Sequence, residues 1–79
     1  MAAKAFVLIE TAVGVSKEVV DALRKLEGVD SVVSVTGPYD AIAAIESETL
    51  DEISDLVAAK FHLVSGVSRT VICIALRSS

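Results

Sequence analysis

The stretch VDSVVSVTGPYDAIAAIE, residues 29–46, decides the fold of this chain. Its first eight residues are rich in Val, Ser and Thr, side chains that fit a pleated, half-buried surface, so 29–36 reads as a strand. Gly37-Pro38 then breaks the run: proline fixes φ and cannot donate to a ladder, which suits a turn. Residues 39–46, YDAIAAIE, form the next strand. So short a connection joins the two as an antiparallel hairpin.

Working outward, each side of the hairpin carries a helix and then a strand. Upstream, residues 4–12, KAFVLIETA, hold four consecutive apolar side chains and read as a strand buried on both faces. Gly14 ends it. Ser16 is positioned to cap a helix whose apolar stripe is Val19, Val20, Leu23 and Leu26, and Gly28 is expected to close that helix in a left-handed conformation. Downstream, Thr49-Leu50-Asp51-Glu52 is a capping box, followed by an apolar face of Leu50, Ile53, Leu56 and Val57. That helix runs to about residue 60 or 61, residues 62–66 form a loop, and 67–77, VSRTVICIALR, is the last strand.

The order β-α-β-β-α-β predicts an α+β fold: a ferredoxin-like plait, with a four-stranded antiparallel sheet and two helices on one face. One domain spans residues 1–79. The parities of the first, third and last strands carry the reading further. Phe6 and Leu8 point opposite to Val7 and Ile9, and Ile72, Ile74 and Leu76 point opposite to Val71 and Cys73. Two helices cover one sheet face only. The second face therefore calls for another copy of the same sheet, and a dimer by sheet-to-sheet packing is expected. A chain of 79 residues that is 53% apolar, with two Phe and one Tyr as its aromatics, is also too small to hide its apolar surface alone.

Composition excludes several functions. The net charge is −4 and the seven cationic side chains are scattered, so no basic footprint for direct nucleic-acid binding exists. No apolar run approaches the roughly 20 residues that span a bilayer, and the start carries Lys4 too early for a secretory signal. A single cysteine, Cys73, sits among aliphatics and reads as a small core residue without redox use. A cytoplasmic location is expected. Asp51 and Asp55, with Glu48 and Glu52 nearby, read as a solvated acidic first turn that complements the helix dipole, rather than as a metal or acid/base site. No cofactor and no metal are expected. His62 has no serine–carboxylate or cysteine partner at local spacing, so no catalytic residue is assigned and the chain is not expected to be an enzyme.

Tyr39-Asp40, after Gly37-Pro38, places a phenol and a carboxylate at the hairpin tip. In a plait that tip lies at the same end as the start of the last strand, near Ser65 to Thr70. Asp40 could receive an ammonium group and the amides around Gly66 a carboxylate, which is amino-acid recognition in outline. The plainer alternative is that Tyr39 packs and Asp40 makes a local Asx-turn bond.

Three segments carry a family resemblance: Gly37-Pro38-Tyr39-Asp40-Ala41, Thr49-Leu50-Asp51-Glu52-Ile53, and Val64-Ser65-Gly66-Val67-Ser68-Arg69-Thr70. In this order on a βαββαβ chain they resemble the effector-binding (RAM) domain of the Lrp/AsnC transcription regulators, over essentially the whole sequence. The resemblance implies dimers formed through the sheets, rings of dimers, and amino-acid effectors bound in clefts between dimers. Carried over by position, the cleft would use Gly37, Tyr39 and Asp40 from the hairpin. From the loop before the last strand it would use His62, Ser65, Gly66, Val67 and Ser68, with Thr70 beyond. Two departures stand out: the helix-turn-helix of such regulators has no counterpart ahead of the first strand, and Ser65 stands where proline often precedes the glycine. The chain thus resembles the stand-alone members of the family, or an excised domain, and is expected to act as a sensor partnered by full-length Lrp/AsnC-type regulators. The competing readings are a structural oligomerisation module without a metabolite, and a small dimeric ferredoxin-like enzyme such as a monooxygenase.

Overall fold

The computed structural model describes residues 2–76. Its elements are β1 (Ala3–Thr11), α1 (Ser16–Arg24), β2 (Val29–Ser34), β3 (Ala41–Ser47), α2 (Leu50–Ala59), a 3₁₀ turn (Phe61–Leu63) and β4 (Val67–Ile74). The sheet runs β2-β3-β1-β4 with every neighbouring pair antiparallel, so the expected plait is the fold.

Strand parity sorts the side chains as anticipated. Ala5, Val7 and Ile9 from β1, Val32 from β2, and Ala41, Ala43 and Ile45 from β3 are buried. They meet Val19, Val20 and Leu23 of α1, Ile53 and Val57 of α2, and Phe61, forming one core between the helices and one sheet face. The alternate residues face away. Across that second face the register sets Val33, Ile42, Leu8 and Val71 in one row and Ala44, Phe6 and Cys73 in the next. Phe6 is 40% exposed and Val33 51%, so the chain leaves an apolar band uncovered. Cys73 belongs to this band and is exposed, contrary to its expected place as a buried thiol. Its register partner is Phe6, on the helix-free side, rather than Val7 on the core side.

Local differences from the sequence reading have physical causes. Ser16 does not cap α1: Val15 occupies the N-cap position, and the Ser16 hydroxyl instead lies 2.8 Å from the Thr11 hydroxyl. The helix ends at Arg24 and not at Gly28, because i→i+3 bonds from Lys25 N–H to Ala22 and from Leu26 N–H to Leu23 tighten its last turn. The hairpin loop is longer than a tight turn. β2 stops at Ser34 and β3 starts at Ala41, and one further bond, from Val35 N–H to the Asp40 carbonyl at 3.0 Å, closes the neck of the loop between them. β4 stops at Ile74, and the part of the expected strand at residue 77 lies outside the described residues. The capping box of α2 is present: Glu52 N–H donates to Thr49 Oγ1, and Thr49 N–H to the Glu52 carboxylate, both at 3.2 Å.

Candidate functional site

Antiparallel pairing brings three chain segments to one end of the sheet: the C-terminal end of β1, the hairpin tip entering β3, and the loop entering β4. They are tied by hydrogen bonds rather than only adjacent. Asp40 N–H donates to the Ile9 carbonyl at 2.9 Å, and Thr11 N–H donates to Asp40 Oδ2 at 2.8 Å. The Asp40 carboxylate thus extends the β1–β3 ladder beyond the last backbone pair, with a bond that spans 29 residues in place of the local Asx bond weighed as an alternative. Ala12 N–H donates to the Gly66 carbonyl at 2.8 Å, tying the β1–α1 loop to the β4 entry.

Between these ties lies an open depression of about 570 Å³, within the volume range of small-molecule sites. Glu10 to Gly14 form one side, with Ser16 at the start of α1; Pro38 and Asp40 form the hairpin side, and Ser68 closes it from β4. Of the residues expected from sequence, Asp40 and Ser68 line it directly. Gly37 and Tyr39 flank the lining residue Pro38; Gly37 has φ +133° with open space around it, and Tyr39 is half-buried. Val67 packs partly on the core and Ser65 is exposed. His62 and Thr70 stand apart from the depression and pair with each other, Nε2 to Oγ1 at 3.2 Å.

Gly66 has a packing role that the sequence reading did not foresee. Its φ is +99°, and a Cβ there would sit 2.8 Å from Val19 Cγ2 and 2.9 Å from Val15 Cγ2. The close approach that glycine permits is to helix α1, not to open space. The wall supplied by Glu10, Thr11, Val13 and Ser16 was missed in the sequence. The signal was available: in the order β2-β3-β1-β4, the end of β1 must lie beside the start of β3 and of β4, so its following loop shares their end of the sheet. Among the described residues, no group of three or more His, Cys, Asp or Glu side chains is placed to hold a metal.

The model of the Lrp/AsnC ligand binding domain matches residues 4–79. The chain belongs to this family. The match makes it a regulatory ligand-binding module. TTHA0845 from Thermus thermophilus has 34% sequence identity and a TM-score of 0.90, with 98% of this chain and 96% of that one covered. Escherichia coli AsnC superposes with a TM-score of 0.89 at 17% identity, covering 96% of this chain and 52% of that one. A transcriptional regulator from Neisseria meningitidis, NMB0573, solved as an L-Met complex, gives 0.83 at 19% identity, with 95% and 50% covered. The Lrp/AsnC-type domain thus spans about half of those two chains, and at such identities they share its fold alone. No curated protein sequence matches the chain significantly. Among the described residues no helix is long and apolar enough to cross a membrane.

Proposed function

We propose that this domain is an amino-acid sensor that works as an assembly and reports its ligand by co-assembling with full-length regulators of its family. The observation that carries the reading is the depression at the sheet end, where a carboxylate (Asp40), hydroxyls (Thr11, Ser16, Ser68) and the exposed Gly37-Pro38 tip converge. A carboxylate beside neutral donors and acceptors fits the amino end of a zwitterion. The L-Met complex of a structural neighbour supports the ligand class. The assembly is supported by the uncovered apolar band of Phe6, Leu8, Val33, Ile42 and Val71, which a second copy of the sheet would cover. The net charge of −4 supports a nucleic-acid reader outside these residues.

Residues 1–79 act in this reading as one ligand-binding and oligomerisation domain. Its ligand contacts come from Asp40, Ser68 and the hairpin backbone at Gly37 and Tyr39. In this reading Ser65, His62 and Thr70 serve a ligand held by a neighbouring dimer, while Gly66 and Val67 shape the loop that presents them.

Native mass spectrometry with and without a panel of amino acids tests the proposal, together with melting curves. A ligand at a hundred times its Kd adds about 2.7 kcal/mol to stability. A monomer under all conditions with no melting shift would refute both halves. A stable oligomer with no shift would favour a purely structural oligomerisation module, the reading to which the apolar band alone leads.

A further inference from the structure

Resting on the sensor reading, we infer that Glu10 sets the charge selectivity of the site, admitting basic and neutral amino acids and rejecting acidic ones. The depression is lined by two carboxylates, three hydroxyls and no cationic side chain. Most of these polar groups are already engaged. One oxygen of Asp40 accepts the Thr11 N–H, and the Thr11 and Ser16 hydroxyls face each other at 2.8 Å. Glu10 differs from them. It is half-buried at the last regular pair of β1 before the register shift, and its carboxylate has no hydrogen-bond or ion-pair partner among the described residues. The nearest candidate counter-charge is Arg69, its register partner on β4. Arg69 is exposed, makes no ion pair with Glu10 within 4.0 Å and does not line the depression.

A second carboxylate brought into this space meets the Glu10 charge, which the exposed Arg69 across the strand offsets only in part. A second ammonium or guanidinium meets a free acceptor. Two unit charges about 5 Å apart at a largely solvated protein surface change affinity by about fivefold, in opposite directions for like and unlike charges.

The test is titration calorimetry on the whole chain with L-lysine, L-arginine, L-methionine, L-aspartate and L-glutamate, repeated on Glu10→Gln and on Glu46→Gln. Both variants remove one negative charge; Glu46 lies at the other end of the sheet, opposite Lys4. The expected result is about a tenfold or greater preference for the basic over the acidic ligands, narrowing to about threefold in Glu10→Gln and unchanged in Glu46→Gln. An equal loss of preference in both variants would overturn the inference, because net charge and not the position of Glu10 would then be responsible. Binding with no charge preference, or a preference that survives Glu10→Gln, would overturn it while leaving the sensor reading intact. No binding of any amino acid would overturn both.

Discussion

Replacing Gly66 with alanine separates a packing requirement from a conformational one. The native φ of +99° places the residue where an L side chain is strained by about 1–2 kcal/mol. The new methyl would also stand 2.8 Å from Val19 Cγ2 and 2.9 Å from Val15 Cγ2. Those atoms cannot swing aside, because both belong to β-branched side chains with stiff χ1, and Val19 is fully buried. The neighbours must shift as bodies, which adds about 1–3 kcal/mol of overpacking and gives a total near 2–5 kcal/mol. Gly14→Ala is the matched control: φ is +84° there and nothing lies within 4 Å, so only the backbone cost of about 1–2 kcal/mol applies. Urea unfolding at one fixed protein concentration measures both, since an oligomer's midpoint depends on concentration. Adding Val19→Ala to Gly66→Ala should recover part of the loss, a coupling visible in the double-mutant cycle. If the two glycine variants lose the same stability within about 0.5 kcal/mol, or the cycle shows no coupling, the contact with α1 is not what holds Gly66 in place.

Asp40→Ala should cost about 1–3 kcal/mol in urea unfolding by orphaning the Thr11 N–H, and Asp40→Asn less, since an amide oxygen still accepts. Equal costs for the two would place the role of Asp40 in its charge and not in this bond. Leu8→Glu on the uncovered sheet face should turn the assembly into monomers in sedimentation experiments, because the charge is buried once per copy in a symmetric interface; an unchanged mass would refute sheet-to-sheet packing. Thr49→Ala should lower stability by about 1 kcal/mol through loss of the capping box, with no change in ligand response, because the cap lies outside the depression.

The fold was legible because the strands and helices announced themselves by periodicity, and α2 also by its capping box. Alternation at Ala5, Val7 and Ile9 against Phe6 and Leu8 specified which face meets the helices, and the same alternation left the second face bare. What failed were inferences from residue type at termini. Ser16 looks like a cap, but its hydroxyl is drawn to Thr11, a partner set by how β1 leads into α1. Cys73 looks buried because its sequence neighbours are aliphatic, yet in a strand the flanking residues point to the opposite face and say nothing about its own. Asp40 was recognised as unusual, but its bond to Thr11 was not foreseen, because no local pattern encodes a bond to a residue 29 positions away.

That last point bears on how the site can work. Asp40 and Gly66, the two residues with the strongest claim on a ligand from sequence, are both used to join the three segments that frame the depression. Asp40 retains one carboxylate oxygen, and Gly66 has its carbonyl engaged by Ala12 and its α-carbon pressed against α1. The framework is therefore fixed before any ligand arrives, which lowers the ordering cost of binding. The free groups in one chain are few: Glu10, Ser68 and part of Asp40, on a surface open to solvent. None of these side chains is a cation, and the backbone donors on this side are those of the β1–α1 loop and the first turn of α1, which no side chain caps. In the proposed assembly the negative end of a zwitterion seated here is received by a neighbouring copy, for which His62, Ser65 and Thr70 are exposed or half-exposed beyond the depression. On this reasoning affinity depends on assembly and assembly on ligand, the reciprocal coupling by which a sensor of this kind would report what it binds.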